Sequence, residues 1–102
     1  MSAVFSLECV KQQRCYLGPE KEVEWLPLGG AFMGYHKSAE DCKELISLVD
    51  PFLIANPSKT DEYLTEPTYQ DYGVYGQWNA FSIPDNEEPN VFWLYIITQI
   101  SE

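Results

Sequence analysis

The sequence predicts a single α+β domain over residues 1–102: a curled antiparallel sheet of four or five strands with one main helix packed on one face. Three observations predict this class. Both ends of the chain contain strand-like alternation of apolar and polar residues, one amphipathic helix lies between them, and the final strand is apolar on both faces. A chain of 102 residues is long enough to bury one core.

The N-terminal third predicts strands joined by turns. Residues 3–10, AVFSLECV, alternate in the manner of a half-buried strand. The following KQQR (residues 11–14) is interpreted as a polar break, and the residues from Cys15 onward as a new strand. Gly, Pro and charge at 18–21 predict a turn before the next strand. Residues 29–36, GGAFMGYH, are interpreted as either an irregular strand or a loop.

One helix is indicated clearly, over about residues 39–49. Ser38 is a suitable N-cap, and acidic residues follow it in the first turn, where the helix dipole favours negative charge. Pro51 disfavours an unbroken helix because it lacks an N–H and clashes with the preceding turn. We therefore expect the helix to end near Val49 and a short second helix, 51–55, to begin at Pro51 with Asp50 as its cap. The apolar stripe that continues through both pieces consists of Ala39, Cys42, Leu45, Ile46, Val49, Phe52 and Leu53.

The C-terminal half predicts the rest of the sheet. One helical turn capped by Thr60 is expected first, then a strand over 74–83, a polar turn over 85–90 and a strand over 91–100. The last strand is apolar on both faces, and a single helix can cover only one of them. The second cover must then be the sheet curling on itself or another copy of the chain, so a homodimer is one of the two expectations.

An aromatic residue stands at every third position between residues 69 and 81. A spacing of three matches neither the period of a strand nor that of a helix, so a strand would distribute these rings over both of its faces. We interpret most of them as core around the final strand, with Tyr69 and Tyr72 at a partly exposed mouth. The five are Tyr69, Tyr72, Tyr75, Trp78 and Phe81.

Charge is distributed unevenly along the chain. The net charge is −10, and all six basic residues lie in the first 59 residues; residues 60–102 contain eight acidic residues and no Lys or Arg. Proteins that bind nucleic acid without sequence preference need positive charge along the phosphates. Direct nucleic-acid binding is therefore not expected, and a cationic protein partner is.

This charge distribution predicts a non-catalytic acidic binding protein that docks on a cationic protein, in the manner of an inhibitor, an immunity-type protein or a nucleic-acid mimic. Electrostatic steering would be followed by burial of aromatic anchors. The candidate partner-binding residues are Asp61, Glu62, Glu66, Tyr69, Asp71, Tyr72, Asp85, Glu87 and Glu88.

The alternative is a small-molecule-binding domain with an aromatic-lined pocket for an apolar or cationic ligand. Its candidate lining residues are Trp25, Tyr75, Trp78 and Trp93. Enzymatic activity is not expected: His36 is the only histidine, and the sequence around it contains no motif that supplies the nucleophile and the orienting carboxylate of a catalytic triad. No catalytic residue is assigned.

The three cysteines, Cys9, Cys15 and Cys42, form no CxxC pair, so no metal site and no cofactor is expected. Reduced thiols in a cytoplasmic protein are the expectation, with a Cys9–Cys15 disulfide as the alternative. No apolar run approaches the roughly 20 residues of a membrane span, and no basic residue precedes the first apolar segment. We therefore expect neither a membrane segment nor a signal peptide.

Overall fold

The computed structural model describes residues 3–19, 22–73 and 76–101, and side chains over these ranges apart from 69–73 and 76–78. The elements in chain order are β1 Val4–Leu17, β2 Glu22–His36, α1 Ala39–Val49, α2 Pro51–Ala55, a 3-10 turn Pro57–Lys59, α3 Thr60–Thr65, β3 Tyr69–Gly73, β4 Gly76–Pro84 and β5 Val91–Ser101.

The five strands form one antiparallel sheet in the order β2-β1-β5-β4-β3. The first and last strands of the chain are therefore neighbours in the middle of the sheet. The sheet is open, with β2 and β3 as its edges. The predicted α+β class, the antiparallel sheet and the helix packed on one face are confirmed.

The β1–β2 hairpin is longer than predicted. The expected break at residues 11–14 is wrong, because β1 continues through this segment and pairs with a strand on each side: Lys11 lies opposite both Gly29 and Trp93. Backbone hydrogen bonds to β2 on one side and to β5 on the other keep this polar segment extended. The GGAFMGYH segment is an irregular part of β2, where Gly29 (φ 149°) and Gly34 (φ 96°) adopt backbone conformations that favour glycine.

The two predicted helices are confirmed at the predicted bounds. The Ser38 hydroxyl accepts a hydrogen bond from the Asp41 N–H at 3.0 Å, and Asp50 Oδ1 accepts one from the Leu53 N–H at 3.0 Å. The expected cap at Thr60 is wrong: Thr60 is the first residue of α3. The 3-10 turn before it carries the chain into α3 without a side-chain cap.

The strand predicted over 74–83 is confirmed as β4, Gly76–Pro84, but the chain reversal just before it was not expected. The structure contains a hairpin of β3 and β4, in which Tyr69 lies opposite Ala80 and Gly73 opposite Gly76. The chain therefore reverses direction within the aromatic series, which is divided between two strands. Of the five aromatic side chains, those of Tyr69, Tyr72, Tyr75 and Trp78 lie outside the described residues. Phe81 is fully buried in the core.

The core lies between the sheet and one layer of helices. The sheet contributes alternate residues of its three central strands, and the helices contribute one residue per turn of the predicted stripe and one from α3. The members are Leu7, Cys9, Phe81, Ile83, Tyr95 and Ile97 from the sheet, and Cys42, Ile46, Leu53 and Leu64 from the helices.

A buried polar contact joins the helices to the centre of this sheet. Asp50, between α1 and α2, is fully buried, and its Oδ2 accepts a hydrogen bond from the Tyr95 hydroxyl at 2.6 Å. Burial and this hydrogen bond raise the pKa of Tyr95, and the neighbouring Cys9 thiol, also hydrogen-bonded to Tyr95, contributes less. Both carboxyl oxygens of Asp50 thus have partners, as a buried polar group requires.

We expect Tyr95→Phe to lower the free energy of unfolding by about 1.5–3 kcal/mol, because it leaves Oδ2 of a buried carboxyl group without a donor. Urea denaturation measures this loss. Tyr35→Phe is the matched control, since its side chain is 64% exposed. Equal stability of the two variants would contradict a structural role for the Tyr95–Asp50 hydrogen bond.

A candidate acidic docking cleft

A cleft of about 420 Å³ lies between α1 and α3, on the side of the sheet that the helices cover, here called the helical side. Glu40, Lys43, Glu44 and Ser47 form one wall at the i, i+3, i+4, i+7 spacing of a helix face. This face lies beside the buried stripe of α1. The opposite wall consists of Thr60, Asp61, Leu64 and Thr65.

Negative charge predominates in the cleft. Its lining contains three exposed carboxylates, from Glu40, Glu44 and Asp61, and one amine, from Lys43. The amine lies 3.6 Å from a Glu40 oxygen and 5.4 Å from the centre of the Phe81 ring, which holds it against one wall. Exposed ion pairs contribute little stability, so a partner's cation can compete for these carboxylates. The buried Leu64 is the apolar residue of this lining.

The predicted α3 residues lie at or near this cleft. Asp61 lines it directly, whereas Glu62 is exposed and paired with Lys59 at 3.3 Å. Glu66 is exposed immediately after α3. The predicted contacts Tyr69, Asp71 and Tyr72 belong to β3, and their side chains lie outside those described.

Asp85 holds the β4–β5 connection together. Its Oδ1 accepts a hydrogen bond from Trp93 Nε1 at 2.8 Å, and its Oδ2 accepts bonds from the N–H groups of Glu87 at 3.0 Å and Glu88 at 2.8 Å. The Trp93 bond and then the two backbone bonds lower the pKa of Asp85. Glu87 and Glu88 themselves are exposed. Asp85 is thus engaged within the protein, and only its two neighbours present free carboxylates.

The residues of the alternative pocket are not brought together where the structure describes them. Trp25 is 43% exposed and packs edge-to-face on Phe92, with ring centres 5.4 Å apart. Trp93 lies under the Lys11 ammonium at 5.5 Å. Phe92 and Trp93 are consecutive in β5 and point to opposite faces, so Trp25 and Trp93 lie on opposite sides of the sheet. Tyr75 and the side chain of Trp78 lie outside the described residues.

Glu40 and Glu44, which line the cleft, were absent from the predicted contacts. They belong to the first half of the chain, where basic residues nearly balance the acidic ones, so the charge count along the sequence did not single them out. Their i, i+4 spacing on α1 was a usable signal, because it places both carboxylates on one face beside the buried stripe. That α3 lies across the cleft from this face follows from the tertiary structure, which no local pattern indicates.

Cys9 and Cys42 are buried, and their surroundings do not activate their thiols. Burial raises the pKa of both Cys9 and Cys42 to about 11, which disfavours the reactive thiolate. Cys9 and Cys15 are six residues apart in one strand, roughly 20 Å at the rise of a strand, so the alternative disulfide does not fit this fold. His36 Nε2 lies 3.0 Å from the Met33 carbonyl oxygen.

No protein-family model, curated protein or solved structure matches this chain at a significant level. In the part of the chain that the structure describes, no helix has the length and apolar character needed to cross a membrane. Within those same residues, no three His, Cys, Asp or Glu side chains are grouped so that they could hold a metal ion. The site must therefore be interpreted from its own geometry and charge.

We expect Asp85→Asn to make the free energy of unfolding depend less on pH in the acidic range. The folded-state pKa of Asp85 lies below its ordinary value of 3.8, so its carboxylate contributes stability above that value. This contribution is lost as the pH falls through the lowered pKa. Chemical denaturation between about pH 5 and about pH 2 measures the slope. Glu87→Gln removes the same charge two residues away, and an equally reduced pH dependence for this control would contradict the assignment.

Proposed function

We propose that this protein is a non-catalytic binding protein that docks its helical side on a cationic protein. The observation that supports this proposal best is the cleft between α1 and α3, which is lined by three exposed carboxylates and by the buried Leu64. The asymmetric charge distribution also supports it, because residues 60–102 contain no Lys or Arg to weaken the negative potential.

The cleft suits a basic side chain of the partner. Arginine fits its chemistry well, because a guanidinium group can donate to two carboxylates at once and its aliphatic stem can pack on Leu64. Such a charged anchor would be removed from water between the two helices. Buried anchors of this kind supply most of the affinity of protein interfaces.

The remaining exposed acids would act earlier, during the approach of the partner. Glu62 and Glu66 extend the negative surface from the cleft along and beyond α3. Complementary charge raises the rate of encounter and has less effect on the final affinity. An inhibitor, an immunity-type protein or a nucleic-acid mimic of cytoplasmic location would use such a surface to cover a basic active site or groove.

Neutralising the cleft should weaken binding of an arginine-rich peptide. We expect the triple variant Glu40→Gln, Glu44→Gln, Asp61→Asn to raise the dissociation constant at least about tenfold, because these carboxylates would contact the guanidinium groups. Fluorescence anisotropy with a labelled peptide measures the change. Wild-type affinity should also fall steeply between about 0.1 M and about 1 M NaCl, as the screening length drops from about 10 Å to about 3 Å.

The matched control compares two double variants that each remove two charges. Glu40→Gln, Glu44→Gln should weaken binding, whereas Glu22→Gln, Glu24→Gln, at exposed positions outside the cleft, should weaken it much less. If both double variants lose affinity equally, net charge alone determines peptide binding, and the cleft is not the docking site. A wild-type protein that does not bind the peptide at low salt would also contradict the proposal.

A further inference from the structure

The face of the sheet opposite the helices, here called the open face, is apolar and carries no helix among the described elements. Core residues occupy alternate positions of β1, β4 and β5 on the helical side, so the residues between them point the other way. Such a face on an antiparallel sheet is normally polar, because it contacts water. Here its prominent side chains are Trp25, Phe32, Tyr35, Phe92, Leu94 and Ile96.

Charge on the open face differs sharply from that of the whole chain. Among its described strand side chains the charged ones are Glu8 and Arg14, whose charges cancel, although the protein carries −10 overall. Arg14 lies over Phe92 and Tyr16, with its guanidinium carbon 5.1 Å and 5.5 Å from their ring centres. Glu8 is exposed. The described part of the open face therefore has no net charge, and such a surface has little attraction for a cationic partner and little repulsion for its own copy.

The two charges are placed so that the face is complementary to itself. Glu8 and Arg14 lie on the same strand, roughly 20 Å apart at the rise of a strand, with Phe32 beside Glu8 and Trp25 beside Arg14. A two-fold axis between two facing sheets, crossing β1 at the level of Lys11, reverses the direction of the strand. It brings Glu8 of each copy to Arg14 of the other.

The same rotation matches the apolar side chains. Trp25 of one copy meets Phe32 of the other, because these residues pair with Arg14 and Glu8 respectively. Phe92 likewise meets Leu94, because their partners on β1 are Gln12 and Val10, one residue on either side of Lys11. One symmetry operation thus pairs opposite charges with each other and large apolar side chains with each other, as an isologous interface requires.

The aromatic side chains of the open face expose a large part of the area that a stable dimer buries. Tyr16, Trp25, Phe32 and Tyr35 are between 43% and 64% exposed. At roughly 150–250 Å² for each aromatic side chain, these four alone expose on the order of 400 Å². This is about half of the roughly 800 Å² that each partner of a standard interface buries. The half-buried aliphatic residues of β5 lie beside them on the same face.

We infer that the open face is a homodimer interface, packed against the same face of a second copy about a two-fold axis that places Glu8 of each copy against Arg14 of the other. Two sheets stacked in this way form a sandwich with a spacing of about 10 Å. The inference does not rest on the proposed function, because the acidic cleft lies on the helical side and stays exposed in the dimer.

Charge-reversal variants test both the open face as the dimer interface and the proposed two-fold symmetry. We expect the wild-type protein to sediment as a dimer in analytical ultracentrifugation, and Glu8→Arg or Arg14→Glu to raise the dimer dissociation constant at least about tenfold. Each single change creates two like-charge contacts in the dimer. The double variant restores both contacts with their signs exchanged, so we expect its dissociation constant to return to within about threefold of the wild-type value.

Glu24→Arg is the matched control, because it makes the same charge change at an exposed residue of β2 that pairs with Cys15 and so points to the helical side. We expect it to remain dimeric. A monomeric wild-type protein would overturn the inference, as would a Glu8→Arg variant as dimeric as this control. Two weakened single variants with no recovery in the double variant would overturn the proposed symmetry.

An apolar position gives a second test that does not depend on Arg14, whose side chain also bonds Asn90 within the monomer. We expect Phe32→Glu to dissociate the dimer while the circular dichroism spectrum stays native, since this side chain is 54% exposed. Leu48→Glu, at a 67% exposed position of α1, is the control and should remain dimeric. Equal dimer stability in the two variants would overturn the assignment of the open face.

Discussion

The hydrogen bond between Tyr95 and Asp50 is the contact on which the arrangement of the helices depends. Asp50 ends α1, caps α2 and reaches the central strand β5 through one carboxyl group. Because the group is fully buried, moving this junction away from Tyr95 would leave a buried polar atom without a partner. The bond therefore holds the junction between α1 and α2 against β5, while Pro51 sets the position of this junction in the sequence. From here the chain continues through α2 to α3, which forms the second wall of the cleft.

Covering the sheet from one side only divides the molecule into two surfaces of different chemistry. The helices carry exposed acidic residues outward on one side. Among its described side chains, the open face has two opposite charges and a series of large apolar residues. The long β1–β2 hairpin accentuates the difference, because β2 is exposed from Glu22 to Phe32, beyond the cover of the helices. These two surfaces are suited to different partners, since a cation is attracted to one and an apolar, neutral surface matches the other.

The features that were predictable from the sequence are those with local causes. Ser38, Pro51 and the apolar stripe specify the two helices through neighbours within one or two turns, and the structure confirms both. The errors concern contacts between distant segments. Residues 11–14 are polar, but pairing with β2 and β5 keeps them extended, and the aromatic series is divided by a chain reversal between Gly73 and Gly76. For the candidate cleft, charge counting along the sequence singled out Asp61 but not Glu40 and Glu44, because the position of α3 across from α1 is not encoded in either segment alone. Asp85 was a candidate contact on charge alone, but its carboxylate accepts three hydrogen bonds within the protein.

The two proposed surfaces are compatible in one assembly, and their combination has a consequence for binding strength. If two copies pack through their open faces, their helical sides point in opposite directions, so the acidic clefts stay apart and the self-repulsion between them is screened by distance and salt. A dimer of this kind would present two clefts to a cationic partner. A single extended partner could not reach both clefts easily across the thickness of two sheets, but a multivalent or oligomeric one could. Its second contact would then form at the effective concentration set by the first, which strengthens binding without any new type of contact. The open face would in this way contribute to affinity even though it never touches the partner.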